Sequence, residues 1–60
     1  MPTNDLLTTI ELAEYLKVPV ESVRKWRKNR DGPRAVRVGR HIRYRRADID
    51  AWLESRAEAE

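Results

Sequence analysis

Apolar residues at Leu12, Ala13 and Leu16, with Ile10 at the edge of the stripe, have the spacing of an amphipathic helix of about two turns. Its start is marked by Thr8-Thr9-Ile10-Glu11. In this capping-box pattern the Thr8 side chain accepts from the backbone three residues on and Glu11 reaches back, so the helix begins at Thr9. Leu7 and Leu12 stand where a hydrophobic staple closes the entry. The stripe breaks at Lys17-Val18-Pro19. Pro19 suits the first position of a second helix, where its missing N–H loses no partner, and Glu21 complements that helix's positive end. Val20, Val23 and Trp26 recur at intervals of three, predicting a helix from Pro19 or Val20 to about Lys28. Its remaining surface carries Glu21, Ser22, Arg24, Lys25, Arg27 and Lys28, and the turn-rich Asn29 to Pro33 ends it.

From Ala35 to Arg45 the period changes to two: Val36 and Val38 alternate with Arg37, and Ile42 and Tyr44 with Arg43, which predicts a β-hairpin. Opposite residues share a face, so a two-residue Gly39-Arg40 loop would set Arg37 against Ile42. A three-residue loop, Gly39-Arg40-His41, pairs Val38 with Ile42 and Val36 with Tyr44 instead. It leaves Arg37 and Arg43 together on the solvent face and Arg40 at the tip. A third helix starts near Arg46 or Ala47, with Asp48 and Asp50 at its positive end and Ile49, Trp52 and Leu53 as its apolar stripe. Trp26 and Trp52 read as core, with Tyr44 bridging the hairpin to the helices. The order α-turn-α-β-β-α is mainly α with a small β-hairpin, that of a winged helix-turn-helix. It makes one domain over residues 1–60, with 1–5 and 56–60 as fraying ends.

A chain of 60 residues buries only about 60% of the surface it exposes when unfolded, so a plain apolar core has to hold a marginally stable fold. Cysteine is absent, which removes disulfides and thiolate metal sites. No apolar run nears the roughly 20 residues of a membrane span, and the first residues lack the features of a signal peptide. The expected location is the cytoplasm of a bacterial host cell, associated with the nucleoid when bound.

Charge sharpens the picture. The net charge is only +3, yet eleven of the thirteen Lys and Arg residues lie between Arg24 and Arg46. Residues 47–60 hold five acids against Arg56. A positive field concentrated on the middle of the chain attracts a polyanion, and duplex nucleic acid is the leading partner. The competing reading is a solvated face whose arginines pair with the acidic end.

Two helices crossing steeply over Ala13, Leu16, Val18, Val23 and Trp26 push the second one outward, where in DNA-binding helix-turn-helix domains it enters the major groove. Leu7-Thr8-Thr9 through Leu16, Val18-Pro19-Val20-Glu21-Ser22-Val23, the Val38-Gly39-Arg40 wing and Ile49-Asp50-Ala51-Trp52-Leu53 together resemble the small excisionase and MerR-like winged-helix proteins over nearly residues 6–55. The resemblance implies a single-domain phage excisionase, a recombination directionality factor. Such a protein binds and bends DNA beside an attachment site, steers an integrase toward excision, and assembles cooperatively with other copies of itself. Two positions depart from the pattern: Lys17 stands where such turns commonly have Gly, and Pro19 replaces the usual Ser or Thr cap.

The candidate base readers are Glu21, Ser22, Arg24 and Lys25 on the early second helix, Arg and Lys suiting guanine and Glu suiting cytosine; Glu21 also serves as a dipole complement. Arg27 and Lys28 combine a place at the helix C-terminus with phosphate contact. On the wing, Arg40 with Gly39 and His41 forms the tip that enters a minor groove, and Arg37, Arg43 and Arg45 lie along phosphates or serve as charges that blunt a sheet edge. Thr8 and Thr9 act mainly as caps, with phosphate as a second role. His41 has no Cys or His partner, so it reads as a loop residue with an unusual backbone angle rather than a metal ligand. No cofactor, metal, small-molecule ligand or membrane is expected, and no enzyme activity: Asp48, Asp50 and Glu54 lie along one helix surface without a catalytic constellation. The alternatives to an excisionase are a small transcriptional repressor or activator of the same fold, and a protein-binding adaptor that docks through its acidic third helix.

Overall fold

The computed structural model describes residues 6–57, so the expected fraying of residues 1–5 and 58–60 lies outside the described residues. α1 (Thr9–Leu16) opens on the capping box: Thr8 Oγ1 accepts from the Glu11 N–H at 3.0 Å and Glu11 Oε1 accepts from the Thr8 N–H at 2.9 Å. α1 closes on Lys17, which is left-handed at φ 60°, ψ 45°. The Val18 N–H then reaches the Ala13 carbonyl and the Lys17 N–H the Glu14 carbonyl, the two-bond closure usually built on glycine. Pro19 has ψ 146°, so it is the extended N-cap of α2 (Val20–Lys28) rather than its first helical residue, and no side chain caps that end. α2 closes as α1 does, with Arg30 at φ 57°, Asp31 N–H to Trp26 O at 2.7 Å and Arg30 N–H to Arg27 O at 3.1 Å.

Three antiparallel strands follow in the order β1-β3-β2: β1 (Leu6–Leu7), β2 (Ala35–Val38) and β3 (His41–Arg45). β1 is too short to show a period in the sequence. It forms because Leu7, already the staple residue of α1, lies opposite Tyr44. The hairpin register differs from the expected one: Ala35 faces Tyr44, Val36 faces Arg43, Arg37 faces Ile42 and Val38 faces His41. The loop is therefore the two-residue Gly39-Arg40, and Arg37 and Arg43 lie on opposite faces of the sheet. Gly39 has φ +62° and Arg40 does not have a positive φ, the pattern of a type II′ hairpin turn. His41 is a strand residue, and the unusual backbone angle belongs to Gly39.

Val36 and Val38 face away from the core, which reverses the expected parity of β2. On the inward face Ala35, Ile42 and Tyr44 meet the core, and the tip of the hairpin projects past it. Val38 and Leu6 on the outer face are 48% and 47% exposed. Burial fixes the parity of β3, and turn chemistry then sets how β2 pairs with it.

α3 (Arg46–Ser55) returns across the sheet and seals a core of Leu7, Leu12, Ala13, Val23, Tyr44 and Ile49. Tyr44 is 1% exposed. Burial pushes its phenol above the ordinary 10.0, while the Arg27 charge and a side-chain hydrogen bond with Thr9 pull it partly back. The two tryptophans form a half-buried annex to this core. Their ring centroids are 5.2 Å apart, and Trp52 Nε1 donates to the Asp31 carbonyl at 3.0 Å. Gly32 lies against Trp26 so closely that a β-carbon there would stand 3.0 Å from the Trp26 Cβ. Arg56, expected in a fraying tail, lies over the Trp52 ring at 5.1 Å and reaches Asp31 Oδ1 at 3.9 Å.

Three outcomes follow from this packing. Trp52→Ala should lose about 2–3 kcal/mol in urea denaturation, less than the 3–5 of a fully buried Trp, and Trp52→Phe about 1 kcal/mol for the indole hydrogen bond. Lys17→Gly should gain up to about 1 kcal/mol by relieving a left-handed side chain. Because the folded Tyr44 phenol holds its proton above the unfolded value, its contribution is complete below pH 10 and declines as pH rises through the raised folded value. Melting curves between pH 8 and pH 11 should therefore show an alkaline loss in the natural chain that Tyr44→Phe reduces.

Candidate nucleic-acid interface

α2 is held at both ends and by its middle. Val23 is buried on the core, Val20 and Trp26 pack at its margins, and the two left-handed closures set the chain's direction before and after the helix. This presents Glu21, Arg24, Lys25 and Lys28 to solvent, with Ser22 half-buried beside them. Arg27 does not belong to that outward set. It lies one turn beyond Val23 on the core-facing side, and its exposed head acts on the Tyr44 phenol. A long side chain placed there reaches solvent by running along the core face.

The wing distributes its cations around the hairpin. Arg37 lies on one face, with Nε donating to the Gly39 carbonyl at 3.2 Å. Arg43 and Arg45 lie on the other, Arg43 half-buried and donating to the Ile42 carbonyl at 2.8 Å. Arg40 is exposed at the tip beside Gly39, and exposed His41 follows it. Arg45 Nε is 3.7 Å from Asp48 Oδ2, which partly commits that arginine. On α1, the Thr8 hydroxyl is engaged as a cap and the Thr9 side chain meets Tyr44, so both face inward tasks first.

Between Ser22 and Ala47 the chain has one acidic residue, Asp31, and Arg56 engages it from α3. Among the described residues the ion pairs are Arg45–Asp48 and Arg56–Asp31, so the cations of α2 and the wing tip stand unneutralised. Among the described residues the acids of α3 supply one pair, Arg45–Asp48, to the charge pairing that competed with the nucleic-acid reading. Two arginines outside the expected set also come forward: Arg30 and Arg34 line, with Arg27, Gly32, Pro33 and Ala35, a cleft of about 260 Å³ between the end of α2 and the base of the wing. In the sequence they sit in a turn-rich stop, and their only signal is charge.

Among the described residues no helix is long and apolar enough to cross a membrane, and no group of three or more His, Cys, Asp or Glu side chains is placed to hold a metal ion. No curated protein matches the chain at significant similarity. The model of the helix-turn-helix domain family matches residues 6–57, from β1 through the closing turn of α3. An outward helix, a basic wing and this match over the whole folded unit agree: the chain belongs to the helix-turn-helix domain family, a DNA-binding family that includes excisionase-like proteins.

Proposed function

We propose that the protein is a sequence-specific architectural DNA-binding protein of excisionase type, which bends attachment-site DNA and directs an integrase toward excision. The observation that carries this reading is the division of the wing's arginines between both faces and the tip. A minor groove is walled by phosphates on both sides. A hairpin entering it edgewise gains from cations on both faces and from one at its end, the place where a narrowed groove concentrates negative potential. The outward face of α2, with Arg24 and Lys25 on its exposed surface, suits the major groove next to it. Engaging adjacent grooves from one rigid body favours bent DNA, and smooth bending by 40–90° over 20–30 bp costs about 1–6 kcal/mol, a load that cooperating copies would share.

In this reading the protein is not an enzyme. Strand cleavage belongs to the integrase, and this chain changes the outcome by shaping the substrate on which the integrase assembles. It works in the bacterial cytoplasm, on the nucleoid. A transcriptional regulator would use the same surface, and the two differ in what responds to binding.

Binding to duplex DNA should weaken steeply with salt, log K falling against log salt with a slope of about −0.9 per phosphate contacted, or about −5 for five to six contacts. Arg24→Ala or Lys25→Ala should cost about 1–3 kcal/mol on the preferred site and flatten sequence preference, whereas Arg37→Ala should weaken all duplexes alike. Competition binding against random duplex separates the two classes. With purified integrase and a recombined attachment-site substrate, the protein should stimulate excision in a dose-dependent way. Arg40→Ala should reduce both excision and the bend seen by circular permutation, with integration unaffected. Excision that proceeds equally without the protein, together with a promoter reporter that responds to it, would replace the excisionase reading with the regulator.

A further inference from the structure

We propose that the cleft lined by Arg27, Arg30 and Arg34 is a seat for one backbone phosphate of duplex DNA, on the strand that separates the groove read by α2 from the groove entered by the wing. The inference rests on the DNA-binding reading above. It assigns a role to Arg30 and Arg34, which belong to neither the helix nor the wing.

Place in the fold is the first argument. The cleft runs from Arg27 in the last turn of α2, through the loop, to Ala35, the first residue of β2. A helix in a major groove and a wing in the next minor groove straddle one sugar–phosphate strand. The segment that joins them faces that strand. Three arginines line this cleft of about 260 Å³, and planar arginine can offer a phosphate paired N–H donors.

Rigidity is the second. Four contacts pin the loop: Asp31 N–H to Trp26 O at 2.7 Å, Trp52 Nε1 to the Asp31 carbonyl at 3.0 Å, the Arg56–Asp31 pair at 3.9 Å, and Gly32 against Trp26. Arg56 also draws the loop's one carboxylate into a pair with α3, so the nearest acid is already engaged. A loop backbone held this way has little left to order when the seat is filled.

Cost is the third. Arg30 is left-handed at φ 57°, a place where glycine is free of strain and a side chain costs about 1 kcal/mol. Among the described residues no ion pair to Arg30 offsets that cost. Complementing the negative end of the α2 dipole explains a cation in the last turn, but that effect fades within the turn. It does not reach Arg34, six residues past Lys28 and lining the same cleft.

The test uses the full chain carrying Arg30→Gly and Arg34→Gln. Arg30→Gly keeps the left-handed turn, so the variant should melt no lower than the natural chain while binding duplex DNA about three- to tenfold more weakly at low salt. The salt slope should become shallower by about 0.9, the value of one phosphate, and the loss should be equal on a selected site and on random duplex. Weaker binding with unchanged or raised melting temperature separates this outcome from misfolding. An unchanged slope and affinity in the variant, with normal binding by the natural chain, would overturn the phosphate seat and leave the DNA reading standing. Absence of duplex binding by the natural chain would overturn both. Arginine Nε–H signals followed during titration with inorganic phosphate distinguish a free anion as the ligand. Saturable binding at sub-millimolar phosphate, with duplex affinity untouched by the double substitution, would reassign the cleft and defeat the proposal.

Discussion

Burial of one phenol ring organises this small domain. Tyr44 is the largest fully buried side chain, and the two edge strands are both registered on it, Leu7 of β1 from one side and Ala35 of β2 from the other. A residue that needs its ring in an apolar core and its hydroxyl beside a polar partner has few acceptable positions. Here the ring lies within a core that includes Leu12, Val23 and Ile49, with Thr9 and Arg27 acting on the hydroxyl. That single placement ties the start of α1, the end of α2 and the middle strand together. A displacement of β3 by one residue would turn Tyr44 to solvent and bring Arg43 or Arg45 inward, which burial of an unpaired charge forbids.

Around this centre the chain accepts strain at its two helix ends. Both helix closures are of the kind that glycine fills without cost, and both are occupied by cations, Lys17 and Arg30. The closures hold because each supplies two backbone hydrogen bonds, and because Val18 and Trp26 next to them pack on the core. The annex of Trp26 and Trp52 then fixes the loop that leads to the wing. The recognition surface is consequently assembled from rigid pieces, although most of its side chains are exposed and, among the described residues, form no ion pair. Long basic side chains on a firm backbone suit a ligand whose charge is regular and whose groove shape varies.

Much of the architecture was legible along the chain because local rules sufficed. The capping box at Thr8 and Glu11, the staple of Leu7 and Leu12, the stripe Val20-Val23-Trp26 and the period-two stretch after Ala35 each use neighbours within about one turn or one strand. The three helices begin and end close to where those signals place them. The outward set on α2 was legible for the same reason, except for Arg27. The family match over residues 6–57 agrees with the order of elements read this way.

What escaped was set by contacts between distant segments. Two-residue β1 has no period, and it exists because Leu7 meets Tyr44 thirty-seven residues away. The wing's register followed Gly39 and the inward Ala35, Ile42 and Tyr44 rather than the valines of β2, whose far end at Val38 lies beyond the core. Arg56 joined the fold only because α3 brings it over Trp52 and beside Asp31. The sequence by itself determined the helices, the hairpin and the concentration of charge, all products of short-range pattern. Tertiary structure alone decided which face each wing arginine takes and which cations share the cleft beside α2, because those outcomes depend on where the core ends, and the core is made by residues far apart in the chain.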